Sequence, residues 1–207
     1  MDGLQKIHSL DQLKGDFMDK QYTNTWFGER GGKTWDKVLN KNITSILEVG
    51  CYEGQATVWL MEHFPKATLD AVDIFDASVA EDWDGYTNVD NQQTTTYEDR
   101  FDNNVREFGF RVNKIKSKSL LALATLYLDN RKYDLIYIDG DHRKLPATQD
   151  MAIAIEMLNP GGIMIVDDYR GIPWLFDAVN AFSNTLDSNV FSWETTPDGE
   201  QFIIRRK

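Results

Sequence analysis

Two short runs gather the residues most able to do chemistry: Asp139-Gly140-Asp141-His142 and Asp167-Asp168-Tyr169. Each follows an apolar stretch that reads as a buried strand, Leu135–Asp139 and Gly162–Asp167. Side by side in a parallel sheet, the carboxyl ends of two such strands lie about 5 Å apart, so the acids face one another. Like charges that close raise each other's pKa unless a cation compensates, and oxygen donors suit a hard ion such as Mg2+. Asp139, Asp167 and Asp168 are therefore candidate ligands of a divalent metal. His142, three residues beyond Asp139, is placed to take a proton from a hydroxyl held at that ion. The plainer readings are a surface histidine hydrogen-bonded to a neighbouring carboxylate, and an aspartate, Asp141 foremost, that caps the following segment.

A second constellation follows the first predicted strand, Ser45–Val49: Glu48-Val49-Gly50-Cys51-Tyr52-Glu53-Gly54. In an open α/β sheet the ligand crevice lies at the carboxyl ends of the strands, where Gly50 and Gly54 let the backbone approach a ligand closely. The GxGxxG pattern that seats a pyrophosphate on a helix N-terminus is absent. An acidic Glu48 at the turn suits a cationic ligand better. Asp73, at the end of the second predicted strand, Thr68–Ile74, can accept from both hydroxyls of a ribose. A glycine-rich turn followed by an acidic strand end also arises by chance in α/β proteins.

The elements that must hold these residues follow from the hydropathy pattern. Short β-branched or apolar runs alternate with helix-length amphipathic stretches, the pattern of βαβ units. Besides the strands above, Val112–Lys116 is predicted as a strand, and Asn189–Thr195 with Gln201–Arg206 as a terminal hairpin. Helices are predicted at Gln55–His63, Arg100–Phe108, Leu120–Asn130 and Leu145–Leu158, the last stopped by Asn159-Pro160-Gly161-Gly162. The fold class is thus α/β and Rossmann-like, a mostly parallel seven-stranded sheet ending in an antiparallel hairpin strand. Residues 1–207 read as a single domain: a helical N-terminal cap over 1–42, anchored by Trp26, Phe27 and Trp35, and a core over 43–207. Residues 76–99 break the rhythm and, with Trp83, Tyr86 and Tyr97, read as a lid or substrate wall.

Glu48-x-Gly50-x3-Gly54, Asp73, Ile138-Asp139-Gly140-Asp141-His142 and Pro160-Gly161-Gly162 with Asp167-Asp168-Tyr169 together resemble class I S-adenosylmethionine-dependent methyltransferases. More narrowly, they are similar to the small metal-dependent O-methyltransferases related to catechol and macrolide-sugar O-methyltransferases. The resemblance covers roughly residues 43–170. It implies that Glu48, Gly50, Tyr52, Gly54 and Asp73 contact S-adenosylmethionine, with Ser119 near the adenine. It implies Asp139, Asp167 and Asp168 as metal ligands and His142 as the catalytic base. His142 stands where catechol-type enzymes carry a lysine, as in the sugar enzymes, which favours a sugar-like hydroxyl. The segment around Ser117-Lys118 departs from the glycine often found near the third strand.

Composition limits the alternatives. Lys and Arg number 22 against 33 Asp and Glu, and a net charge of −11 repels a phosphate backbone, so nucleic acid is not an expected partner. A lone cysteine, Cys51, rules out an intrachain disulfide. No run approaches the ~18 apolar residues of a membrane span, and no apolar signal core opens the chain, so no membrane partner and a cytoplasmic location are expected. The expected partner is a small hydroxylated acceptor, a sugar or a phenol, and homo-oligomerisation is left open. Two alternatives stand beside the metal-dependent O-methyltransferase: a metal-independent methyltransferase of another acceptor, and a catalytically silent binding module.

Overall fold

The computed structural model describes residues 19–29, 31–39, 42–76 and 95–207. The parallel strands are β1 (Ser45–Val49), β2 (Thr68–Asp73), β3 (Val112–Lys116), β4 (Tyr133–Ile138) and β5 (Leu158–Val166). They are joined by β6 (Phe191–Thr195) and β7 (Phe202–Arg206) into one seven-stranded sheet of order β3-β2-β1-β4-β5-β7-β6. β7 runs antiparallel to both β5 and β6, as the predicted terminal hairpin requires. The chain reverses direction across the sheet between β1 and β4, so the crevice of this fold opens at the carboxyl ends of those strands.

Period-two alternation sends neighbouring strand residues to opposite faces, and both faces are covered. Leu47, Val49, Ile136, Ile138, Met164 and Val166 pack on one side with α5 (Ser119–Leu128), α6 (Lys144–Ala154) and α7 (Pro173–Ser183). Ile46, Leu135, Tyr137, Ile163 and Ile165 pack on the other with α2 (Gly31–Val38), α3 (Gln55–His63) and α4 (Tyr97–Val105). α1 (Trp26–Glu29) precedes α2, and the described residues 19–25 before them are not helical.

Several elements differ from the sequence reading. β4 begins at Tyr133, because Tyr133 and Leu135 both pair with β5, across a register shift between them. β5 continues back through Asn159-Pro160-Gly161-Gly162 to Leu158; Pro160 and Gly161 lie on its exposed first turn of strand, where a missing amide donor and a positive φ at Gly161 (78°) are tolerated. α7 has no counterpart in the sequence reading. Its start is marked by Pro173 in the first turn, where a missing N–H costs nothing. Tyr97 belongs to α4 and not to a lid: Thr96 and Asp99 form a reciprocal capping box that starts the helix there. Residues 77–94 of the expected lid, with Trp83 and Tyr86, lie outside the described residues.

The strand ends are held together at Gly50, whose φ of 86° is left-handed. A Cβ there would fall 2.0 Å from the Asp139 carbonyl oxygen. Gly50 thus allows β1 and β4 to abut rather than merely a ligand to approach. Gly50→Ala is expected to destabilise the protein by at least about 2 kcal/mol, since strain and a backbone clash combine. A urea-denaturation midpoint unchanged from wild type would contradict this role.

Candidate active site

Four acids collect at the carboxyl ends of β1, β2, β4 and β5, and the backbone laces those ends together. The Gly50 amide donates to Val72 O (2.8 Å), Asp139 N to Val49 O (2.8 Å) and Asp167 N to Ile138 O (2.9 Å). Each hydrogen bond extends a parallel ladder one residue past the regular strand, so the acidic side chains are placed by the sheet itself.

Glu48 is 1% exposed. One carboxylate oxygen, Oε2, accepts from Thr57 Oγ1 (2.6 Å), whereas Oε1 has no hydrogen-bond partner. It lines a cavity of about 60 Å³ together with Trp26, Phe27, Gly50, Tyr52 and Asp139. Burial pushes its pKa up to about 8, with the charges of Asp139 and Asp73 adding to the rise and the Thr57 hydrogen bond opposing it. A buried carboxylate with an unmet oxygen at a cavity is a site prepared for a cation or a multiple N–H donor.

Asp73 is engaged more fully than the sequence suggests. Oδ2 accepts from the Cys51 and Tyr52 amides (2.8 and 2.9 Å), and Oδ1 from the Phe75 amide (2.9 Å) and Tyr97 Oη (3.5 Å). It fixes the turn after β1, where Tyr52 adopts a left-handed φ of 46°. Burial raises its pKa and these donors oppose the rise. Tyr52 stacks between Trp26 and Tyr97, at 5.9 and 5.1 Å between ring centroids. Gly54 starts α3 at a φ of 79°, and a Cβ there would meet the Phe101 ring at 3.0 Å. Ser119 opens α5, its hydroxyl against the buried Asp150 carboxyl, which burial raises to about 6. Ser119 is not among the residues lining the cavity.

On the other flank, Asp139, His142 and Asp168 bring ligand atoms within 4.8 Å of one another. His142 Nε2 lies 3.2 Å from Asp139 Oδ1 and 3.6 Å from Asp168 Oδ2. Asp168 holds a left-handed φ of 51° that turns its side chain inward from the end of β5. Asp167 points elsewhere: Oδ1 accepts from Gln201 Nε2 (3.1 Å) and the Asp168 amide (2.8 Å), and Oδ2 from the Tyr137 hydroxyl. Burial, and then the charge of Asp167, raise the pKa of Asp139 to about 7, against the opposing pull of His142. Burial disfavours a charged His142, but the hydrogen bond and charge of Asp139 outweigh it, and its pKa is raised. Asp141 accepts from the Arg143 amide (2.9 Å) at the start of α6.

Residues that sequence reasoning passed over complete the site. Glu53, beside Gly54, is buried in an ion pair with Arg100 (2.6 Å) and also accepts from the amide and hydroxyl of Thr23 (both 2.7 Å). That stitch lays Asn24, Trp26 and Phe27 over the cavity. Tyr137 sits two residues before Asp139, the same-face spacing in a strand, so its position was open to detection. Thr57 and Gln201 carried no local signal.

A mostly parallel sheet with its crevice at the β1–β4 switch, a glycine turn and converging carboxylates defines a Rossmann-like class I methyltransferase fold. The family model described as "Methyltransferase domain" matches residues 47–169, more than half of the chain, and the chain belongs to that family. Among solved structures it is similar to an O-methyltransferase from Bacillus cereus in complex with SAH, with 16% identity, a TM-score of 0.63, and coverage of 95% of this chain and 87% of that one. The O-methyltransferase NovP matches at 18% identity and a TM-score of 0.62, covering 86% and 78% of the two chains. An SAH-bound methyltransferase of Podospora anserina matches at 19% identity and a TM-score of 0.59, covering 91% and 81%. At these identities the likeness shows the fold. An uncharacterized protein of Acanthamoeba polyphaga mimivirus is 31% identical over 62 residues, a stretch spanning 28% of this chain and 28% of that relative. Among the described residues no helix is long and apolar enough to cross a membrane.

The Glu48 carboxyl makes stability depend on pH. Its folded pKa of about 8 lies above the ordinary 4.5, so the folded chain holds a proton that the unfolded chain releases. Its contribution is therefore full below about pH 4.5 and is lost as pH rises through about 8. Glu48→Gln, which cannot ionise, is expected to be more stable than the ligand-free wild type at pH 9, by a few kcal/mol at about 1.4 kcal/mol per pKa unit. The difference should shrink toward pH 5. Thermal melts of both proteins across that range decide it, and a gap that does not vary with pH would contradict the buried-acid assignment.

Proposed function

We propose that this chain transfers a methyl group from S-adenosylmethionine to an oxygen of a small hydroxylated acceptor, sugar-like or catechol-like. One observation carries the reading: Glu48, whose buried Oε1 has no hydrogen-bond partner, lines a cavity together with Asp139, which lies next to His142 and Asp168. The donor set fits S-adenosylmethionine, whose ammonium and sulfonium groups are cationic, and Glu48 would receive the ammonium group. Gly50, Tyr52 and Gly54 would shape the methionine end, and Asp73 and Ser119 the ribose and adenine. In Asp73 both oxygens already accept hydrogen bonds, so ribose hydroxyls would compete with the Cys51, Tyr52 and Phe75 amides. SAH-bound relatives of the same fold support the cofactor.

The acidic flank fits a divalent cation, in our reading Mg2+, which Asp139 and Asp168 would hold, with Asp167 joined to Asp139 through the Tyr137 hydroxyl. Such an ion supplies Lewis acidity toward an acceptor hydroxyl. His142 takes the hydroxyl proton, Trp26 and Phe27 form part of the acceptor wall, and the strand-end backbone fixes the approach. The acceptor oxygen forms its bond to the methyl carbon as the carbon–sulfur bond breaks, leaving S-adenosylhomocysteine and a proton on His142. The three-residue grouping of Asp139, His142 and Asp168 favours a second reading, in which His142 is itself a metal ligand.

His142→Ala separates the two. If His142 is the base, the variant keeps its Mn2+ and S-adenosylhomocysteine affinities and loses about 10²–10⁴-fold in turnover, the usual contribution of a positioned base. Calorimetry with each ligand, and turnover of labelled S-adenosylmethionine in a metabolite extract analysed by mass spectrometry, give both readouts. A loss of Mn2+ affinity assigns His142 to the metal instead, and wild-type turnover removes it from the chemistry. Failure of the wild type to bind S-adenosylhomocysteine would overturn the proposed function.

A further inference from the structure

The metal-side acids are held by a hydrogen-bonded chain that draws on four separate parts of the sequence. Trp35 Nε1, on α2, donates to Gln201 Oε1 (2.7 Å), in the turn that joins β6 to β7. Gln201 Nε2 donates to Asp167 Oδ1 (3.1 Å), and the Tyr137 hydroxyl donates to Asp167 Oδ2. The same hydroxyl lies 3.0 Å from Asp139 Oδ2, while the other Asp139 oxygen, Oδ1, faces His142. Trp35, Tyr137 and Gln201 are each no more than 1% exposed, and Asp167 is 8% exposed.

The chain is braced at both ends. Trp35 packs edge-on against the Tyr137 ring at 4.8 Å, closing the path into a loop of contacts. Gln201 is itself fixed, its amide donating to Thr196 Oγ1 (3.0 Å) and its carbonyl accepting from the Thr196 amide (2.9 Å). The Tyr137 hydroxyl has one proton and touches an oxygen of each acid, so it spans the gap between the ends of β4 and β5. Groups that hydrogen-bond to ligating carboxylates set their orientation and carry a large part of the metal affinity.

We infer that Tyr137 is a positioning residue for the divalent-cation site, with Gln201 and Trp35 as its buttress: together they fix Asp167 and orient Asp139 toward His142 and Asp168. This rests on the metal reading above. It also gives α2 and the terminal hairpin, both remote in sequence from the acidic runs, a role in the chemistry of the site.

The test measures Mn2+ affinity by electron paramagnetic resonance and S-adenosylhomocysteine affinity by calorimetry, on the full chain. Tyr137→Phe keeps the ring and removes only the hydroxyl. It is expected to weaken Mn2+ binding about 10–100-fold while leaving S-adenosylhomocysteine affinity within about threefold, because Glu48 and the glycine turn are untouched. Gln201→Met, which removes both hydrogen bonds of the amide, is expected to weaken Mn2+ binding in the same direction and decides the matter if Tyr137→Phe does not fold. Unchanged Mn2+ affinity in folded variants of a wild type that binds Mn2+ overturns the positioning role alone. A parallel loss of both affinities overturns it in favour of a purely structural one. A wild type that takes up no Mn2+ overturns the metal reading and this inference together.

Discussion

The burial of carboxylates at adjacent ends of parallel strands is the constraint on which the rest of this structure depends. Parallel pairing of β1 with β2 and β4, and of β4 with β5, delivers Glu48, Asp73, Asp139 and Asp167 to one end of the sheet. Glu48 and Asp167 are buried and Asp73 and Asp139 half-buried, so burial and neighbouring charges together disfavour ionisation, and Glu48 and Asp139 are raised to about 8 and about 7. An arrangement that costs stability in the free protein is the kind expected at a functional site. Cations bound between these acids would recover what their crowding costs, and in the function proposed above one flank would take the cationic cofactor and the other a divalent ion.

The surrounding fold manages that crowding with hydrogen bonds aimed at particular oxygens. Asp73 is satisfied by three backbone amides and Asp167 by a side-chain amide, a backbone amide and a phenol, so both are largely committed to the protein. Glu48 Oε1 is left unmet. Among these strand-end acids, Asp73 and Asp167 thus shape the site while Glu48 keeps an oxygen open to a partner. Glu53 shows the same economy in another form: its buried charge is matched by Arg100, and the pair is used to lay the N-terminal segment across the cavity.

Much of this was legible in the sequence because it is local. The apolar runs that form β1 and β3 have the predicted limits, and the acids that end β1, β2, β4 and β5 follow directly from those runs. What escaped was set by tertiary pairing. β5 extends through Pro160 and Gly161 because Leu158 finds Tyr133 across the sheet, a contact that no local rule encodes. Asp167 and Asp168 are adjacent in sequence yet face different partners, since Asp168 takes a left-handed φ while Asp167 meets Gln201 from the terminal hairpin. The Asp73 side chain, read as open to a ribose, is occupied by amides of a turn whose conformation only the folded backbone defines. Composition and spacing thus point to which residues gather, and the long-range hydrogen bonds decide what each of them faces.

The most direct test of the account is a carbon-13 NMR titration of the Glu48 carboxyl, assigned by comparison with Glu48→Gln, in the free protein and with S-adenosylmethionine bound. The account predicts a midpoint near pH 8 in the free protein, falling toward or below the ordinary carboxylate range once the ammonium group of the cofactor pairs with it. A carboxyl that titrates near pH 4.5 in the free protein, or whose midpoint is unmoved by the cofactor, would contradict the claim that a buried, unmatched acid is what this fold holds ready for its cationic ligand.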